Sequence, residues 1–218
     1  MKKVIYSAIF GGKDRLRPPR VVDSDYDYIC FTDSDKVKSD VWDVRVLKED
    51  VHPFFTAKRL KVLPHTVLSD YDYSVWVDGK AVQKRELDGL RCPIGFFNHP
   101  WRKCIYDEAK ACMDKDLDDP TIISQFIGRL LREKYPEKNG LIHGSVIFRD
   151  HNDVNVVRAM DAWWDIVKNG PIRDQLSFNY IAWKQQLQFS YLGNIAQYFK
   201  IEAHRKKSKG KWKCIYSE

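Results

Sequence analysis

The chain has 218 residues, 44% hydrophobic and 13% aromatic, enough apolar mass for one α/β domain with its own core. Charged residues make up 31% and are interspersed among apolar runs, which excludes a disordered or low-complexity chain. The formal charge of +7 comes mostly from one segment, His204 to Lys213, which holds Arg205, Lys206, Lys207, Lys209, Lys211 and Lys213 without an acid. The rest is close to neutral, which argues against a nucleic-acid-binding surface. Residues 204–218 read as a basic tail, either simply solvated or in peripheral contact with an anionic acceptor or a membrane.

The first apolar run, residues 3–10, stops at Gly11-Gly12, as a buried parallel strand entering a tight turn would. It is too short to cross a bilayer and lacks a small-residue cleavage site, so a cytoplasmic protein is expected. The cysteines Cys30, Cys92, Cys104, Cys112 and Cys214 are odd in number and show no Cys-x-x-Cys spacing, so reduced thiols are expected. Residues 26–31 and 42–47 are two more strand candidates. Thr56 is placed to cap a helix reaching about Leu68, with Pro64 kinking or ending it.

A fourth strand, 73–77, stops at Asp78-Gly79, and a short one follows at 94–98. Residues 105–113 suit a helix. Asp119-Pro120 opens another, to about Tyr135, with Ile123, Phe126, Ile127, Leu130 and Leu131 on its apolar face. Residues 141–148 read as a strand. Asp153 opens a helix that Gly170-Pro171 ends. Asp174 stands in a capping position before a helix to about Lys184, and 189–192 suits a last strand. This alternation predicts a single α/β domain on a mostly parallel central sheet flanked by helices.

Ligands on such sheets collect beyond the carboxyl ends of the strands, which singles out Gly11, Asp33, Asp78 and Gly79. A carboxylate at Asp78 meets a diphosphate or ribose there, and Gly79 permits close backbone approach. Lys58, Arg59 and Lys61 lie near the same rim, where Arg59 suits a bidentate phosphate grip, unless the three form a solvated cationic face. Asp33 is the analogous candidate for the nucleobase or ribose.

The run Tyr71-Asp72-Tyr73-Ser74-Val75-Trp76-Val77-Asp78-Gly79 closely resembles the TOD1/MUCI70 glycosyltransferase-like domain, also catalogued as DUF616. Similar blocks surround Tyr6 to Gly12, which includes Phe10, and Tyr28 to Asp33, Arg59 to His65, Gly95 to Arg102, Tyr106 to Ala109 and Arg173 to Asn179. The resemblance implies a GT-A-like nucleotide-diphospho-sugar transferase fold. Residues 1–90 would be its nucleotide-sugar-binding half and 91–203 its acceptor half.

It further implies an Asp-x-Asp element after the fourth strand, which binds ribose and a divalent cation, Mn2+ or Mg2+. Asp78 matches its first acid, but Lys80 replaces the second, removing one anionic ligand while supplying a charge of its own toward a diphosphate. A metal would then need Asp78 with a distant partner such as His204 or His143. The segment Asp174-Gln175-Leu176-Ser177-Phe178-Asn179 is similar to an element of glycogenin-like transferases, which makes Asp174 a catalytic candidate as well as a cap. Gln175 and Asn179, one helical turn apart, would face the acceptor.

His99, Trp101, Asp107 and Glu108 form a dense polar and aromatic set. Trp101 suits stacking on a sugar face, and Asp107 or Glu108 suits deprotonation of an acceptor hydroxyl, although both acids also suit a helix N-terminus. The expected function is transfer of a sugar from a nucleotide-diphosphate donor, UDP- or GDP-linked, to a glycan, lipid or protein acceptor. The alternative is a non-catalytic nucleotide- or glycan-binding module with the same fold.

Overall fold

The computed structural model describes residues 1–203. Five helices and nine strands are defined among them: β1 (Lys3–Ile9), β2 (Asp27–Thr32), β3 (Asp43–Val46), α1 (Pro53–Val62), β4 (Tyr73–Val77), β5 (Ala81–Gln83), β6 (Ile94–Asn98), α2 (Ile105–Asp114), α3 (Pro120–Arg132), β7 (Ile142–Asp150), α4 (Val154–Asn169), α5 (Phe178–Lys184), β8 (Ser190–Tyr191) and β9 (Phe199–Ile201). Single 3-10 turns lie at Pro64–Thr66, Asp174–Leu176 and Ile195–Gln197.

The main sheet has seven strands in the order β3-β2-β1-β4-β7-β6-β8. β1 through β4 are parallel, β6 and β8 are parallel, and β7 runs against both its neighbours. The expected mostly parallel sheet is therefore present, with one reversed strand near its middle. β5 and β9 form a separate antiparallel pair that the apolar periodicity did not reveal, because each strand has only three residues.

Alternation along the strands divides the core in two. Val4, Tyr6, Trp76, Phe96 and Ile147 face a layer that contains the buried residues of all five helices, among them Leu60, Ile105, Ile123, Trp163 and Phe178. Ile5, Ile9, Val75, Val77 and Phe148 face the opposite side, where Leu87, Ile195 and Phe199 cover them. Helices thus pack on one face, and irregular chain with the small sheet closes the other.

Two helix starts follow the sequence. Asp119 accepts from Thr121 N and Ile122 N with Pro120 in the first turn, and Asp153 accepts from Asn155 N and Val156 N. α1 differs: it begins at Pro53, with the His52 ring accepting from Phe54 N at 3.2 Å, and Thr56 lies inside it. The helix ends at Val62, and Pro64 opens the 3-10 turn rather than a kinked continuation to Leu68. Asp174 is not the cap of α5 either, since it lies in its own 3-10 turn and α5 starts at Phe178.

The C-terminus of α1 is tied to the sheet by Arg149 of β7, which is 1% exposed. Its guanidinium donates to Lys61 O at 2.6 Å, to Val62 O at 3.3 Å and to the Tyr6 hydroxyl at 2.5 Å. The Tyr6 hydroxyl also contacts Leu60 O at 3.0 Å. A cation on the last carbonyls of a helix satisfies acceptors that have no intrahelical partner. Lys61 is thereby fixed at its backbone. The four described cysteines, Cys30, Cys92, Cys104 and Cys112, are free thiols.

Candidate functional site

Strand order changes direction at β1 and β4: β2 and β3 extend to one side of β1, and β4 lies on the other. The crevice beyond the carboxyl ends of those two strands is where such sheets take ligands. Gly11 and Gly12 leave β1 there with φ of 58° and 56°, a left-handed turn that favours glycine. Gly11 N donates to the Asp33 carboxylate at 2.7 Å, so Asp33 braces this loop. Phe10 is buried in the helix-side core, which gives it a packing role in place of the ligand-binding one expected.

Asp78 leaves β4 at the same rim. Its amide donates to Ser145 O at 2.8 Å, and the Trp76 indole N–H donates to its Oδ1 at 2.8 Å. At Gly79 a Cβ would fall 2.6 Å from Ile9 Cδ1 and 3.2 Å from Asp14 Cβ, so glycine lets this turn lie against the end of β1 without displacing either side chain. Lys80 Nζ is 4.0 Å from Asp78 Oδ2.

From α1, Lys61 enters with a 6% exposed side chain and lies between two carboxylates, 3.5 Å from Asp78 Oδ1 and 2.5 Å from Asp174 Oδ2. Lys58, one turn earlier on the same helix face, is 3.1 Å from Asp174 Oδ2. Arg59 points elsewhere, to Glu49 Oε1 at 2.5 Å, and this corrects the expectation that Arg59 grips the phosphate. Gly144 of β7 lets the strand lie directly against the pair: a Cβ there would fall 3.3 Å from Gln175 Cγ, 3.5 Å from Lys61 Nζ and 3.8 Å from Asp174 Oδ2.

Charge in this cluster is set by competing forces. Burial opposes ionisation of Asp78 and Asp174, but Lys61 and Lys80 for the first, and Lys58 and Lys61 for the second, hold both carboxyls far below the usual range. Burial likewise opposes the Lys61 charge, yet the two carboxylates outweigh it and raise its pKa. Lys58 is lowered by burial to about 8 despite Asp174, and Lys13, which senses Asp78 and Lys61, is lowered by burial too.

His143, at the start of β7, is lowered by burial to about 4 and is neutral at pH 7. Its Nδ1 is buried without a hydrogen-bond partner. The ring lies 6.2 Å from that of His99, which lies 5.9 Å from that of Trp101, itself 81% exposed. The rings of His143, His99 and Trp101, the last two expected at the acceptor, thus form a row from buried to exposed.

Other expected residues do structural work. Glu108 is buried against Arg102 in a very short contact, with His99 Nε2 3.8 Å away, so its carboxylate is committed internally and is not a free base. Asp107 is exposed on the first turn of α2, where negative charge suits the helix dipole. Gln175 donates to Ile142 O at 3.0 Å and Asn179 accepts from Ile142 N at 3.1 Å. The two amides thus clamp the first residue of β7 instead of presenting their polar atoms to an acceptor. His204, the suggested second metal ligand, and the basic tail lie outside the described residues.

Lys58 and Lys61, rather than Arg59, hold the cluster, and Lys13 and Gly144 join it without any sequence signal of their own. The i, i+3 spacing of the two lysines was the available signal, since it places them on one face and Arg59 about 100° away from it.

The sheet order and the acid and lysine cluster at its rim describe an α/β protein with a charged crevice at its strand-order switch. Residues 32–207, most of the chain, match the TOD1/MUCI70 glycosyltransferase-like domain, and the chain belongs to that family. Among solved structures it is similar in fold to WbbM, a bifunctional glycosyltransferase in its apo form, with a TM-score of 0.50 and 10% identity. That similarity covers 88% of this chain and 38% of the other. No curated protein matches the sequence. Among the described residues, no helix is long and apolar enough to cross a membrane.

Proposed function

We propose that the protein transfers a glycosyl group from a nucleotide-diphosphate sugar to a glycan, lipid or protein hydroxyl. The observation that carries this reading is the pair Asp78 and Asp174, presented by β4 and the turn before α5 and joined through Lys61 at the strand-order switch. In the reaction the bond from the sugar's anomeric carbon to the diphosphate breaks, leaving its electron pair on the diphosphate. A bond from the acceptor oxygen forms at the same carbon, and the acceptor's proton leaves.

Lysines fixed beside the departing phosphates stabilise the charge that grows there, without reorganisation at the moment of reaction. Asp174, held ionised, suits the sugar side of the site, where positive charge develops as the bond breaks. His143, neutral with an unpartnered nitrogen, suits orientation of the acceptor hydroxyl. Release of nucleoside diphosphate from a panel of UDP- and GDP-sugars tests the reading. Turnover of at least one donor that is lost in Asp174→Asn is the expected result, and correctly folded protein that binds none of them sinks it.

The closeness of Lys61 to Asp174 favours a second reading, an anion-binding module without turnover. It predicts saturable binding of nucleotide with no diphosphate release from any donor.

A further inference from the structure

The fold resemblance implies a divalent cation between Asp78 and a diphosphate, and the residues present test that implication directly. A hard cation holds carboxylate oxygens at about 2.0–2.6 Å and gains from several of them. Between Asp78 and Asp174 the structure has an ammonium group instead, and Lys80 follows on Asp78's other oxygen. No cluster of three or more His, Cys, Asp or Glu suited to a metal occurs among the described residues. The donor set does not fit a divalent cation.

Lys61 is also difficult to move aside. Arg149 holds its backbone carbonyl, the Trp76 ring lies 5.7 Å from its Nζ, and its side chain is buried. Lys58, on the same helix face, and Lys13, from the loop after β1, lie 5.4 Å and 5.7 Å from the centre of the Phe54 ring. Arg173 adds further positive charge felt at Lys13, Lys58 and Asp174. With Lys80 these cations outnumber Asp14, Asp78 and Asp174 even when Asp118, whose carboxylate accepts from Arg173 N at 3.2 Å, is counted, so the cluster keeps positive charge over after its internal pairs are made.

We infer that the diphosphate of the donor is bound by the ammonium groups of Lys13, Lys58, Lys61 and Lys80, with Lys61 bridging the two carboxylates in the role a divalent cation would take. The site is then an anion site that works without metal. This rests on the nucleotide-diphosphate reading above.

Calorimetric titration of the full chain with inorganic pyrophosphate, UDP and GDP, first in EDTA and then in Mn2+, tests the inference. Pyrophosphate and a nucleotide are expected to bind in EDTA within about threefold of their affinity in Mn2+. Each of Lys13→Ala and Lys80→Ala weakens pyrophosphate by about tenfold, the loss of one charged contact. Lys110→Ala, remote on α2 and paired with Asp114, leaves it unchanged. These two lysines lie nearer the rim than Lys61, so the test stands even if Lys61→Met fails to fold.

Mn2+ alone, followed by its electron paramagnetic resonance signal, is expected to stay free in the presence of the protein. Nucleotide binding that requires Mn2+, or Mn2+ bound by the protein alone, overturns the lysine inference and leaves the donor reading in place. Pyrophosphate binding in EDTA with no binding of either nucleotide keeps the lysine site and overturns the donor reading. Folded protein that binds no probe in either buffer overturns both.

Discussion

Two buried charge clusters lie on this fold, and they are organised differently. Around Glu108 one carboxylate meets the Arg102 guanidinium and the edge of His99, while the His99 Nδ1 accepts from the backbone of Arg102 at 3.0 Å. Its charges are matched within the loop and the first turn of α2. Around Asp78 and Asp174, lysines from α1 and from both strand-end loops exceed the acids, and His143 has a nitrogen without a partner. The first cluster is closed and fixes a loop, whereas the second leaves charge and a polar atom available to a ligand. Residue types alone do not separate them, because each contains acids, bases and a histidine.

Replacing one acid in each cluster should separate them most clearly. Asp174→Asn is expected to lower donor turnover on the order of 10²–10³-fold. It should also lower stability, because Lys58 and Lys61 lose their strongest partner. Glu108→Gln leaves a buried pair broken and should cost about 3 kcal/mol, near 6–12 °C in Tm for a chain of this size, with pyrophosphate affinity unchanged. Calorimetric melts and pyrophosphate titrations on the two variants check this, and equal loss of ligand affinity in both would erase the distinction.

A smaller effect is expected from pH. Lys58 is lowered to about 8 by burial, with Asp174 opposing and Lys61, Lys13 and Arg173 adding to the lowering. Its ammonium is therefore lost between about pH 7 and 9, and pyrophosphate affinity should fall several-fold over that window. The fall should flatten in Lys58→Arg, whose charge does not titrate there. The sign for stability is opposite: the folded pKa lies below the unfolded one, so the cost of the buried charge is present below about pH 8 and disappears as pH rises toward 10.5. Trp101→Ala should give the smallest change, with stability within about 0.5 kcal/mol of the parent. It should leave pyrophosphate binding intact and weaken only the binding of a glycan acceptor, as read by titration with oligosaccharides.

Most strands of the main sheet were legible because their runs are apolar and stop near Gly, Asp or Ser, whereas β5 and β9 are too short to show; Asp78 was legible because it ends such a run. The direction of β7 was not legible, since apolar periodicity is the same whichever way a strand runs. α1 was misplaced at its start because Thr56 is the better capping residue by type, while Pro53 preset the first turn and the His52 ring capped it. Asp174 stood out both as a catalytic candidate and as a cap, but its ion-pair partners did not. Its partners lie on α1, far away in sequence, and only the tertiary fold brings them to it. Gln175 and Asn179 were assigned to an acceptor because their spacing suggests a shared face, yet both reach one backbone residue, Ile142.

The position of β7 also bears on how the chain is made. β4 lies between β1 and β7 in the sheet, but β7 begins only at Ile142, long after β4 ends at Val77. During synthesis β1 to β4 can pair as soon as they emerge, leaving one edge of β4, with Val75, Trp76 and Val77, unpaired while the intervening chain is translated. An open apolar edge of this kind invites pairing with another nascent chain. Residues 1–90 expressed alone would carry that edge permanently and should be recovered as aggregates, whereas chains that include β7 close it from within.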